Sequence, residues 1–468
     1  MAIILAVSIF SPTVYTASAD IIEPVGPSQE SLESCIDQAQ DGQTFQLPAR
    51  LVMNKSLRLT RNVVFERYDG ASVAELAFNR DYNSSDTKQE NYRHFVIANS
   101  GITVTFNGIT FSAQSFGGGI TDGAQSVSAE KAKVIFNDCV FKNCKATDGG
   151  AVLCYDSVNY EFNNCQFLNN EATRGGAVAV RDGGEPVFNG CTFSGNIASE
   201  YGSAIAVINN YLSFDREVKI TDCIFKSNLT FSKNNSYAGA LAFIELNRSI
   251  TEKENPEDAM PKYSKSKGKS TVDNCVFEDN MAFIGGGYYP AGSAICAENM
   301  EITVKNSSFN NNVNHGYGTI AVSFPSAKPA LTIENITIND NFVARYGGSL
   351  YLYSATDFVF TPINTVFGRN YSINGGEIAL MGKLPNGNNT VEINWVGASD
   401  ILDGYTLSQY NPPKPYLVFT IIAIVSVVVL SAVAVFVLYK FVPRFSKSKA
   451  NESGATPAIE QADENKAE

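Results

Sequence analysis

The chain has 468 residues, a formal net charge of −12 and only 18% charged residues. That length exceeds one ordinary compact domain and suits a repeat array. The mild acidity and the lack of a basic stripe argue against a nucleic-acid partner, because nothing in the chain is arranged to neutralise phosphates.

The N-terminus opens with an apolar run from Met1 to Phe10 that is too short to span a bilayer. It ends near Ala17-Ser18-Ala19, a small-residue cleavage pattern, so residues 1–19 read as a signal peptide, although no Lys or Arg precedes the run. Residues 20–101 are expected to form an N-terminal cap and the first irregular coils. Within them Leu32, Cys35, Ile36 and Ala39 share one helical face, and Asp41-Gly42 stops that helix. Gln43 to Leu47 then begins a strand. A short amphipathic helix laid over the end of a coil would cover its unpaired edge.

Residues 102–398 carry an internal repeat. One half reads Phe-Asn-Asp-Cys139-Val-Phe141, Phe-Asn-Asn-Cys165-Gln-Phe167, Phe-Asn-Gly-Cys191-Thr-Phe193, Ile-Thr-Asp-Cys223-Ile-Phe225 and Val-Asp-Asn-Cys275-Val-Phe277. The series continues through Ser307 and Phe309, Ile336 and Ile338, and Thr365 and Phe367. Three residues after the apolar member comes Asn: Asn170, Asn196, Asn228, Asn280, Asn312, Asn341 and Asn370, with Cys144 in the corresponding place after Phe141. The other half is Gly-Gly-Ala followed by an apolar residue, as at Gly149 to Val152 and Gly175 to Val178, with Ser203 in place of the second Gly at Gly202 to Ile205. The period is 26 residues from Cys139 to Cys165, 32 from Cys191 to Cys223 and 52 from Cys223 to Cys275. Each unit offers two or three short apolar runs between Gly/Asn turns and cannot close a core alone. Stacked coils can, at ~4.8 Å per coil, giving about ten coils and a rod ~50 Å long.

Stacking places like on like. Phe141, Phe167, Phe193, Phe225, Phe277, Phe309 and Phe367 are expected to form an interior column. The Asn series is expected to form a hydrogen-bonded ladder at a bend, where Asn tolerates left-handed geometry. Cys139, Cys165, Cys191, Cys223 and Cys275 share one slot. Some bridges are geometrically open to them, but Ser307, Ile336 and Thr365 fill the same slot, so mostly free thiols acting as small hydrophobes are favoured. Cys144 and Cys154 are a separate candidate pair.

The Gly-Gly-Ala-Ile and Phe-x-x-Asn pairing resembles the repeats of the chlamydial polymorphic outer membrane proteins, and similar repeats occur in surface proteins of parasitic protists such as trichomonads. The resemblance covers roughly residues 102–380. It implies a right-handed β-helix and a role in adhesion. The chain departs from the bacterial pattern at its C-terminus, which offers a single hydrophobic helix where the bacterial proteins carry a β-barrel. The protist, type I membrane version is therefore the expected one.

The long unit contains a loop insertion at 247–269, rich in Glu and Lys with Pro256 and Pro261 and without apolar periodicity. A Pro-containing stalk, 399–415, leads to 416–439, which holds no charged residue and is dense in Val, Ile, Leu and Ala. At ~1.5 Å per residue that segment is ~36 Å long, enough for a transmembrane helix. Lys440, Arg444, Lys447 and Lys449 follow at once, which places the 440–468 tail in the cytoplasm and the N-terminal bulk outside the plasma membrane. The tail composition predicts disorder. The expected fold class is thus all-β, a right-handed parallel β-helix plus one C-terminal transmembrane α-helix.

Sequons begin at Asn54, Asn83, Asn234, Asn247, Asn306, Asn335 and Asn388, the glycosylation candidates. Those at Asn228 and Asn370 coincide with the ladder and should stay bare. No cofactor is expected, and no metal: there is no Cys-x-x-Cys, and His94 and His315 are the only histidines. A polysaccharide lyase or hydrolase needs clustered carboxylates. Asp156, Asp182, Arg174 and Arg181 fall on adjacent coils and are the nearest approach to a groove, although surface charge at turns describes them better. The expected function is a non-enzymatic surface glycoprotein that displays its β-helix for adhesion to a host-cell protein or glycan. A surface-tethered polysaccharide-active enzyme and a structural coat protein are the alternatives.

Overall fold

A computed structural model of the chain describes residues 21–22, 28–68, 73–79, 92–113, 119–122, 130–181, 183–209, 217–232, 238–245, 269–284, 291–298, 300–324, 331–345, 347–354, 358–360, 362–373, 378–382, 391–393 and 400–401. The chain divides into two units, 1–411 and 412–468. The signal-peptide reading, all but one residue of the insertion, the span at 416–439 and the tail lie outside the described residues, as does all but 400–401 of the stalk. Among the described residues no helix is long and apolar enough to cross a membrane.

One coil shows how the repeat folds. Ala132–Asn137, Val140–Lys142, Lys145–Asp148 and Val152–Cys154 are four strands in succession. Each pairs in parallel with the equivalent strand 26 residues on, for example Phe136 with Phe162 and Phe141 with Phe167. Repetition builds four long sheets, here numbered in coil order, of 12, 12, 8 and 11 strands. The architecture is a parallel β-helix. It differs from the sequence expectation of two or three runs per unit, because the third sheet adds a strand from Lys145 onward. The rod also exceeds the expected ten coils, since two of its sheets hold 12 strands.

The N-terminal end is closed as an edge must be. Ser28 caps the helix Gln29–Gln38 by accepting from the Ser31 N–H. Leu32, Ile36 and Ala39 are buried in the main core, with Cys35 packed against it. Gln29, itself buried, accepts from the Asn54 and Lys55 N–H groups and donates to the Lys55 carbonyl.

Inside the rod, rings stack. Phe111, Phe141, Phe167, Phe193, Phe225, Phe277 and Phe309 follow one another at centroid distances of 4.6 to 4.9 Å. Ile338 then separates Phe309 from Phe367. A second column on the first sheet, Phe65, Phe106, Phe136, Phe162 and Phe188, has no counterpart in the sequence reading. The two columns meet edge-to-face, as at Phe136 and Phe141 (75°), the geometry that ring quadrupoles favour.

The corner between the second and third sheets holds the amide ladder. Asn196 Nδ2 donates to Asn228 Oδ1 (2.9 Å) and to the Phe167 carbonyl (2.9 Å), while Asn196 Oδ1 accepts from the Asn170 backbone N–H (3.0 Å). The same set recurs through Asn228, Asn280, Asn312, Asn341 and Asn370. All seven Asn are buried. The left-handed residue is not the ladder Asn but the one before it: Asn169, Ser227, Asp279, Asn311 and Asp340 have φ of 54° to 56°, and Gly195 takes the same slot at 67°. One left-handed residue turns the chain, and the next returns to extended geometry with its amide pointing inward. Cys144 occupies the first rung, its N–H donating to Asn170 Oδ1 (3.0 Å).

The five repeated cysteines sit at the preceding corner as buried free thiols. Each donates to the carbonyl two residues earlier, as Cys165 does to Asn163 (3.5 Å); Ser307 and Thr365 make the same contact with Lys305 and Ile363. A slot that supplies its own acceptor takes thiol or hydroxyl alike. Burial pushes the Cys165 and Cys223 thiols up. The pairing of Cys144 with Cys154 is not formed, because Cys144 is free, and its thiol is pushed up to about 12 by burial.

Candidate interaction face

Of the four charged residues weighed as a groove and read instead as surface charge, the three that are described are held in ion pairs with residues outside the four. Arg174 and Arg181 both bind Asp148 (Nε to Oδ1 2.5 Å; NH1 to Oδ2 3.0 Å). Asp156 instead pairs with Lys131 (2.6 Å), and Asp182 lies outside the described residues. Among the described residues no group of three His, Cys, Asp or Glu is placed to hold a metal ion.

Beneath this cluster lies Arg93, which the sequence reading passed over. It is 1% exposed and donates to the carbonyls of Asp148, Gly149, Gly150 and Ala151. In later coils each such turn receives N–H donors from the coil before it, as Gly175 O does from Gly150 and Tyr201 O from Gly175. At this turn the Ile120 N–H of the preceding coil reaches only the Ala151 carbonyl among the described residues (3.2 Å), and the guanidinium donates to the carbonyls of Asp148 to Ala151 as well. Burial pulls Arg93 down to about 10. Its role is to finish an edge.

The face with the chemistry of recognition is the outside of the third sheet. Its inward residues are small or polar, Ala146, Ala172, Ala198, Thr230, Ala282 and Asn314, and all are buried. Its outward residues form a register column. Ile197 pairs with Leu229, Leu229 with Met281, Met281 with Val313, Val313 with Phe342 and Phe342 with Tyr371. A second column two residues along contains Phe231 beside Phe283, Phe283 in ring contact with His315 (6.3 Å), and Ile373. Phe231 is 48% exposed and Ile373 51%.

Of the nine large hydrophobics exposed among the described residues, Ile197, Phe231, Met281 and Ile373 stand on this face. Ile224 and Val276 flank it across the corner, one above the other on the second sheet. The fourth sheet behaves oppositely, since its outward Ala179, Ala206, Ala242, Cys296 and Ala321 are all fully buried. At ~4.8 Å per coil the apolar columns run ~24 Å along the rod and cover on the order of 300 Å². That is the size of the largest apolar patch on an ordinary monomer, a patch that is often functional.

The stripe begins where charge ends. In the two coils before it the same column holds Lys145 and Glu171, bonded to each other at 2.6 Å. Several charges along its flanks have partners within the chain. Lys226 binds Glu278 (3.0 Å), Arg369 binds Asp340 (3.1 Å), and Arg345 lies over the Tyr317 ring at 5.3 Å. The sequence signal was present: the residue after each ladder Asn changes from Glu171 to Ile197, Leu229, Met281, Val313, Phe342 and Tyr371.

The sequons divide by burial. Asn54, Asn306 and Asn335 are exposed, whereas Asn228 and Asn370 are fully buried. Asn83, Asn234, Asn247 and Asn388 lie outside the described residues. In comparisons with known proteins, no family model, no curated protein and no solved structure matches the chain.

Proposed function

We propose that the chain is a single-pass type I glycoprotein of the plasma membrane whose right-handed β-helix presents one side for adhesion or recognition. The observation that carries this reading is the exposed, uncharged stripe from Ile197 to Ile373 on a rod whose neighbouring sheet buries its outer face. A stiff solenoid holds such a face in one geometry, so little order has to be created on binding. Right-handedness follows from the strong preference of parallel strand crossovers for that hand. Anchoring rests on the uncharged segment 416–439 and the cations after it. The charged residues nearest a groove are paired with each other or with neighbours, which favours binding over hydrolysis.

The test is binding of the purified chain to candidate target cells. Saturable binding that excess unlabelled protein competes away supports recognition. Binding no greater than that of an unrelated protein of equal charge contradicts it.

A further inference from the structure

We infer that the stripe on the third sheet binds a neutral oligosaccharide lying along the rod; this rests on the recognition reading above. Three observations choose that occupant. First, no Asp, Glu, Lys or Arg stands in the column from Ile197 to Tyr371; along its flanks Arg369 binds Asp340, and Lys226 is shared by Glu278 and Asp279, which leaves that corner net negative. A charged partner, such as a sulfated glycan or a basic peptide, would find no counter-ion within the column itself, and the net negative corner at Glu278 and Asp279 opposes a polyanion.

Second, the face is narrow. Its apolar area, on the order of 300 Å², falls short of the roughly 450 Å² of apolar surface per partner that a stable protein–protein contact buries. A second copy of this chain or a folded protein would therefore leave the stripe with too small a footprint. A sugar chain is itself narrow and can follow the columns lengthwise.

Third, the surface chemistry is two-sided. Phe231, Phe283, Phe342 and Tyr371 offer aromatic surface for the apolar C–H faces of pyranose rings. The adjoining corner presents Ser227, Asp279, Asn311 and Asp340 on successive coils, whose hydroxyl, amide and carboxylate groups can bond sugar hydroxyls. From Ser227 onward each coil sets a polar corner residue beside the apolar column, so binding should strengthen with the length of the oligosaccharide.

The experiment is titration calorimetry of the full chain in detergent micelles against cellohexaose, xylohexaose, mannohexaose and a heparin hexasaccharide. Sedimentation is measured alongside, for the wild type and for Phe231→Glu and Met281→Glu. Both substituted residues are exposed, so the variants should fold; circular dichroism confirms it. The expected result is binding of at least one neutral hexasaccharide, no binding of heparin, and a loss of roughly tenfold or more in each variant. Binding of none of the neutral sugars overturns the inference. If the variants nevertheless lose cell binding, the recognition reading stands and the occupant is a protein. A concentration-dependent dimer that Met281→Glu dissolves overturns it in favour of a second copy. Wild type and variants that bind cells equally remove the stripe from the recognition reading altogether.

Discussion

Replacing Asn280 by alanine removes four hydrogen bonds from the middle of the buried ladder. Asn280 Nδ2 donates to the Phe225 carbonyl (2.9 Å) and to Asn312 Oδ1 (2.9 Å), and its Oδ1 accepts from the backbone N–H (3.1 Å) and Nδ2 (2.9 Å) of Asn228. Asn228 Nδ2 keeps its bond to the Phe193 carbonyl, but the Asn228 backbone N–H is left buried without an acceptor. The orphaned buried donor costs about 1–3 kcal/mol and each of the other three lost bonds about 1 kcal/mol, so the local loss should be at least about 4 kcal/mol. In a solenoid that loss acts on the adjoining coils first. The assay is native-state hydrogen exchange of the Asn228 amide, which should speed up by about a thousandfold if opening is local. The control is Asn311→Ala, next to a ladder rung but exposed and outside the ladder, where only the left-handed backbone penalty of ~1 kcal/mol applies. If Asn280→Ala costs no more than Asn311→Ala, the ladder does not hold the corner.

The remaining predictions come from other buried groups. His94 is pulled down to about 4 by burial, while its Nε2 donates to the Leu76 and Ser112 carbonyls (2.8 and 3.1 Å). Its folded pKa lies below the unfolded value of ~6.5, so the stability it contributes is complete above that pH and is lost as pH falls toward 4, by about 3 kcal/mol. Unfolding curves of the wild type and His94→Phe should therefore converge over that interval; parallel curves would remove His94 as the cause. Cys144, pushed up to about 12, should stay unmodified by maleimide in the native protein at pH 8 and react in denaturant; native labelling would show the first rung to be open. Asn306 and Asn335 should carry glycan in protein made through a secretory route, and Asn228 and Asn370 should not; occupancy mapped by mass spectrometry at Asn228 would be incompatible with its two buried donor contacts.

The circumference of a coil was legible because strong residues recur in fixed slots. Phe141, Phe167 and Phe193 stack only if the chain returns to the same place each time, and Asn170 and Asn196 reinforce the same register. The corner was read one residue off, since Asn169 and Asn170 are both asparagine and only one can take the left-handed geometry. The third sheet was hidden for a physical reason. Its strands are two to five residues long, and the inward members Ala146, Ala172 and Ala198 are too small to give an alternating signal. Its outward members read as ordinary surface or as continuations of the Asn motif. Arg93 gave no signal at all, because nothing in the spacing links position 93 to the Gly149 turn it finishes. Asp156 and Arg174 stand in separate ion pairs, which was not legible because sequence spacing places residues on neighbouring coils without saying which strand of the coil carries them.

The most direct test places one charge in the stripe. Met281 is 37% exposed at the middle of the outward column, so Met281→Glu should leave the core and the ladder intact. Binding of wild type and Met281→Glu to the same target cells should then be measured in competition. Recognition through this face requires the variant to compete at least about tenfold less well, because a desolvated, unpaired carboxylate would oppose the contact. Equal competition by the two proteins would contradict the assignment of this face.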